Sequence, residues 1–105
     1  MITEPTFLIL AAVAPGPLHG YAILREVERL SGGRVRLRAG TLYAAVDRLV
    51  EHGELAEAGD EVVDGRLRRY YRLTDAGASL LAAETEVLTA NADAARGQLA
   101  RRGDA

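Results

Sequence analysis

Apolar residues recur with a helical period along the first half of the chain and switch to a two-residue period in the middle. Thr3-Glu4-Pro5 carries a cap residue, an acid and an early proline, the marks of a helix start. The apolar stretch Phe7 to Ala14 that follows suits a short helix buried on most faces, and Pro15-Gly16-Pro17 ends it. A second helix is predicted from about His19 to Leu30. Its apolar positions Ile23, Leu24, Val27 and Leu30 stand three and four apart, and Ser31-Gly32-Gly33 supplies the stop. Arg34 to Arg38 alternates basic and apolar residues, which predicts a short half-buried strand or an extended linker. A third helix is predicted from about Gly40 to His52, with Leu42, Val46, Leu49 and Val50 inward and Gly53 as its stop.

The period then changes. Leu55 to Val63 and Arg66 to Leu73 flank Asp64-Gly65, a strong signal for a two-residue hairpin turn. On the return strand Leu67, Tyr71 and Leu73 share one face and Arg66, Arg68, Tyr70 and Arg72 the other. Arg69 falls on the apolar side near the tip. Thr74-Asp75 opens a last helix, from Ala76 to about Arg102. Along it Leu81, Thr85, Leu88, Ala92, Ala95 and Leu99 form a narrow seam of coiled-coil spacing, with Leu80 and Val87 beside it to hold the helix to its own domain. The remaining chain is too short to cover such a helix, so the seam is expected to meet a second copy.

Three helices followed by a hairpin predict a mainly α-helical fold with a small β-hairpin, a winged helix-turn-helix. The expected division is 1–74 for that domain and 75–105 for a dimerisation helix and tail. In this architecture the third helix lies in the major groove of DNA, and the hairpin reaches an adjacent groove or the backbone. Charge agrees with that reading only when it is read locally. The 105 residues carry 13 basic and 15 acidic side chains, a net charge of −2, and every basic one is arginine. Arg34, Arg36 and Arg38 lead into the third helix, and Arg66, Arg68, Arg69 and Arg72 follow the hairpin turn. The acids of residues 51–61 are expected toward the back. Arginine suits phosphate because its planar fork binds bidentately and stays charged. Arg38 also stands at the positive end of a helix dipole, a conflict that a docked phosphate relieves.

The motifs carry a family resemblance as well. Pro17-Leu18-His19-Gly20-Tyr21-Ala22-Ile23-Leu24, then Gly40-Thr41-Leu42-Tyr43, then Arg48-Leu49 with Gly53, then Arg68 through Gly77 resemble the PadR family of bacterial transcriptional regulators. The resemblance runs from about residue 5 to residue 80. It implies a homodimeric repressor of the compact, single-helix type, with double-stranded operator DNA and a second copy of itself as partners. Tyr43 matches the tyrosine of the Gly-Thr-Leu-Tyr motif, its body packing on the domain while its hydroxyl reaches DNA. Thr41 matches a position that touches a phosphate or a thymine methyl. Tyr21 and His19 match the second-helix motif, whose start faces the backbone. Arg66, Arg68 and Arg69 match the basic wing. Arg38, Ala39 and Ala44 depart from the serine and prolines frequent at those positions, which bears on operator preference. Some relatives take flat aromatic effectors at the dimer centre. With no tryptophan and one phenylalanine, the seam here offers no aromatic platform, and an effector is left open.

Other classes fare worse. No phosphate-binding glycine loop or nucleophile-base pair points to an enzyme. Two histidines without cysteine make no metal site, no cofactor is implied, and no disulfide is possible. No apolar run approaches the roughly 20 residues that span a bilayer. The N-terminus lacks the basic start of a signal peptide, so a cytoplasmic location is expected. The competing reading is a winged-helix module whose arginines meet an acidic protein.

Overall fold

The computed structural model describes residues 1–104. Thr3 caps the first helix, α1 (Glu4–Val13), its hydroxyl accepting from the Thr6 amide at 3.3 Å, with Pro5 in the first turn. Leu8, Ile9, Leu10, Ala12 and Val13 are all buried, so α1 is the central post of the core. The chain next forms a two-residue strand, β1 (Leu18–His19), and enters α2 (Gly20–Leu30) directly. His19 ends one element and caps the other: Nδ1 accepts from the Ala22 amide at 3.3 Å. At the far end Gly33 closes α2 with a bond from its amide to the Glu28 carbonyl at 2.8 Å. Gly32 and Gly33 hold φ of 63° and 84°, a region that favours glycine.

The helix predicted at 40–52 is α3 (Ala39–His52), stopped by Gly53 at φ 89°. It is followed by β2 (Leu55–Val63) and β3 (Arg66–Leu73), joined through Asp64 and Gly65 at φ 50° and 74°. Two positive φ values in a two-residue loop match the twist of the flanking strands. The three-stranded antiparallel sheet has the order β1-β3-β2. Leu18 pairs with Tyr71 and His19 with Tyr70 on one edge of β3, and Leu55 pairs with Leu73 on the other. Between the Glu57–Tyr71 and Asp60–Arg69 pairs, β2 holds one extra residue, a bulge at Gly59.

This sheet decides between the two readings of residues 34–38. Arg34 to Arg38 is an extended linker and not a strand; the third strand is Leu18–His19. β3 is paired on both edges by β1 and β2, and the linker pairs with none of the three. Ser31 holds it instead, its hydroxyl accepting from the Val35 amide at 2.9 Å. Val35 and Leu37 pack against the core from the side.

The core joins α1, α2, α3 and the base of the hairpin. Ile9, Leu10, Ile23, Val27, Leu42, Val46 and Leu55 are sealed from solvent. Each such side chain contributes roughly 1.5–3 kcal/mol by leaving water. The last helix, α4 (Asp75–Gly103), is tied on at its first turn. The Thr74 hydroxyl accepts from the Gly77 amide at 3.0 Å and donates to the Gly53 carbonyl at 2.6 Å. Gly77 is buried, and a Cβ there would stand 2.1 Å from the Glu54 carbonyl oxygen, so the close approach requires glycine. Leu80 and Leu81 then pack on the core, after which α4 runs outward. Among the described residues no helix is long and apolar enough to cross a membrane.

Candidate nucleic-acid interface

The buried stripe of α3 is Leu42, Ala45, Val46 and Leu49. Helical spacing therefore turns Gly40, Ala44, Asp47 and Glu51 away from the core, and all four are exposed. The remaining polar side chains of α3 flank this ridge on two sides. Thr41 and Arg48 line a shallow depression of about 440 Å³ shared with Thr3, Pro5 and Thr6 of the N-terminal segment. Tyr43 faces the other way, into a groove of about 910 Å³ between α3 and the wing, with His19, Tyr21, Arg66 and Arg68 on its walls and Asp47 of the ridge on its rim.

Tyr43 sits where it does because of Gly20. A Cβ on Gly20 would lie 2.5 Å from the Tyr43 ring and hydroxyl, so the tyrosine lies directly on the first turn of α2. The ring wedges α2 against α3 while 44% of the residue stays exposed. Beside it, the Arg25 guanidinium lies 5.9 Å from the centre of the exposed Tyr21 ring. His19 meets Tyr70 edge-on at 5.5 Å, and the Tyr70 hydroxyl donates to Glu61 at 2.7 Å. Partial burial, then the nearby Arg68 charge, lower the His19 pKa against the opposing pull of Glu61. Both favour the neutral ring, the form whose Nδ1 accepts the capping bond. Burial raises the Tyr71 phenol, and Arg69 partly counters this.

The predicted arginines divide into two groups. Arg36 pairs with Glu28 at 3.1 Å, and Arg34 with Glu4 at 3.0 Å. Arg69 lies 3.6 Å from Glu57 and 3.4 Å from Asp60, and these acids raise its pKa. By contrast Arg38, Arg48, Arg66 and Arg68 form no ion pair among the described residues. The acids of the hairpin are thus not behind the basic strip as expected. Antiparallel pairing sets Asp60 opposite Arg69 and Glu61 opposite Arg68. At the helix entry Arg38 is the N-cap residue without a side-chain cap, so its charge stands by the free amides of the first turn.

Two features escaped the sequence reading. Gly20 belongs to the second-helix motif, but its contact with Tyr43 joins residues 23 positions apart and has no local signature. Asp47 was passed over, although counting four residues on from Tyr43 places it on the same side of the helix. Of the predicted seam, Leu81 is partly buried against its own domain, whereas Thr85, Leu88, Ala95 and Leu99 are exposed and Ala92 half-exposed.

Comparison with known proteins agrees with this geometry. Residues 9–83 match the model of the transcriptional regulator PadR-like family. A 37.1 kDa protein of a Streptomyces fradiae transposon is 47% identical over 81 residues, covering 77% of this chain and 22% of that protein. A transcriptional regulator of Mycobacterium tuberculosis is 38% identical over 80 residues, covering 76% of this chain and 71% of its own. Among solved structures, a PadR family regulator of Clostridium difficile superposes with a TM-score of 0.77 at 21% identity, over 92% of this chain and 99% of that one. Bacillus subtilis PadR in complex with operator DNA superposes with a TM-score of 0.68 at 21% identity, over 76% and 45%. The chain thus spans about a fifth of the Streptomyces protein and under half of the Bacillus one. The two structural likenesses carry the fold, a winged helix-turn-helix, and the family match over residues 9–83 carries the class. The chain belongs to the PadR-like family of transcriptional regulators.

Proposed function

We propose that this protein is a homodimeric repressor that lays two copies of α3 in successive major grooves of a pseudo-palindromic operator and blocks transcription sterically. The observation that carries this reading is the set of unpaired arginines around the exposed ridge of α3. Arg66 and Arg68 lie on the wing side, Arg48 on the opposite flank and Arg38 at the helix entry. Thr41, Tyr43, Tyr21 and His19 complete the contact surface, with Arg36 and Arg69 joining it if their carboxylate partners exchange for phosphate. Bacillus subtilis PadR, similar in fold, has been captured on operator DNA. A second copy meets the exposed seam of α4 at Thr85, Leu88, Ala92, Ala95 and Leu99. That pairing sets the two recognition helices roughly 34–36 Å apart, or a multiple of it.

The test is binding to the DNA upstream of the protein's own gene and to a mixed-sequence duplex, followed by fluorescence anisotropy over a salt series. Phosphate contacts release counterions, so affinity falls steeply and linearly on a log-log plot. The upstream DNA is expected to bind more tightly than the mixed duplex at every salt concentration. Absence of binding to both at low salt overturns the reading in favour of a protein-binding module.

A further inference from the structure

The middle of the outward ridge of α3, from Gly40 to Asp47, holds one side chain whose presence the fold does not explain. Gly40 and Ala44 offer nothing beyond a methyl group, so along the middle of the ridge only Asp47 can exchange a hydrogen bond with a base edge. A carboxylate there repels the phosphates that the neighbouring arginines attract. Aspartate is also a poor helix former, and residue 47 lies beyond the first turn, where a helix dipole stabilises acids. An ion pair is the remaining structural reason, and it is missing. Arg69, across the groove, is held by Glu57 and Asp60, and Asp47 forms no ion pair among the described residues. The side chain is exposed, on the rim of the groove that faces the wing.

We propose that Asp47 is a base-discriminating residue, accepting a hydrogen bond from the exocyclic amino group of a cytosine in the major groove of each operator half-site. This rests on the DNA-binding reading above. Cytosine is the base that fits. In the major groove it presents an amino donor and no acceptor, whereas guanine and thymine present acceptor atoms that repel a carboxylate, and adenine sets an acceptor beside its donor. Discrimination then comes as much from rejecting wrong bases as from holding the right one. The same negative charge weakens binding to DNA of arbitrary sequence, which sharpens selectivity in a chain rich in arginine.

The experiment is selection by the full chain from duplexes randomised across both half-sites, run in parallel with Asp47→Ala and Asp47→Asn. The wild type is expected to select cytosine at one symmetric pair of positions and to lose about tenfold in affinity when either is replaced. Asp47→Ala loses that preference alone and binds mixed-sequence DNA more tightly. Asp47→Asn, nearly the same shape, shifts the preference toward adenine, whose donor and acceptor match an amide. If Asp47→Ala strengthens binding to every duplex equally and leaves the selected sequence unchanged, Asp47 only repels phosphate and the assignment fails while DNA binding stands. If the wild type selects no duplex at all, the DNA-binding reading falls with it.

Discussion

The winged-helix body and the outer part of α4 are built on opposite terms. In the body, α1, α2, α3 and the hairpin base surround side chains sealed from water, among them Ile9, Ile23, Leu42 and Leu55. In α4, a helix of 29 residues, the one buried residue is Gly77, and beyond Leu81 the apolar positions Val87, Leu88 and Leu99 are 42%, 48% and 63% exposed. The body satisfies its own hydrophobic pattern. The helix carries a pattern that the monomer leaves unsatisfied, which is the arrangement expected of a segment that folds fully only against a partner.

The largest effect that separates the two regions is expected in the body. Leu42→Ala opens a cavity under the recognition helix and should cost about 2–5 kcal/mol in chemical denaturation. It acts on the monomer, so a loss that vanishes on dilution would move the main source of stability to the dimer. Leu88→Glu is the converse. It should leave the helical signal of the body intact and convert the proposed dimer to monomer in sedimentation, while removing the concentration dependence of the melting temperature. A dimer that survives this change places the interface elsewhere.

A smaller effect divides the wing. Arg68→Ala should lower the salt slope of DNA binding by about one unit, because a phosphate contact is lost. Arg69→Ala should change it less, since Glu57 and Asp60 already neutralise that guanidinium. Equal slopes for the two variants would mean that DNA displaces those carboxylates.

The smallest effect is the titration of His19. Its pKa in the folded protein lies below the unfolded value of 6.5, so the unfolded chain binds the proton more readily. The stability contributed by the neutral ring is therefore fully present above about pH 6.5 and declines as pH falls through the folded pKa. His19→Asn keeps a capping oxygen without a titrating group. It should flatten the upper part of the acid limb, just below about pH 6.5, before the carboxylates titrate. An unaltered limb would show that the cap at α2 is energetically silent.

Much of this was legible in the order of the residues. Thr3 before an early proline, Asp64-Gly65 between alternating runs, and Gly53 after the third apolar stripe are local signals, each set by the backbone needs of a few consecutive residues. The same holds for the apolar spacing of Leu81, Leu88 and Leu99 along the last helix, which a count of three- and four-residue steps reveals. Leu18–His19 was not legible as a strand. Two residues form no periodic pattern, and their pairing with Tyr70 and Tyr71 depends on an edge that arises only after the hairpin has folded.

The sequence by itself determined the helices, the hairpin and the two places where arginine gathers, since these follow from short-range spacing and composition. Only the tertiary structure decided which arginines are available. Counted along the chain, Arg36 and Arg38 belong to one basic island and Arg68 and Arg69 to the other, with nothing to show which of them is paired. In the fold Glu28, Glu57 and Asp60 come within ion-pair distance of Arg36 and Arg69 and leave Arg38 and Arg68 unpaired. The physical reason is that a Coulomb interaction depends on distance through space. Helix packing and strand register set that distance, and a net charge of −2 carries no record of it.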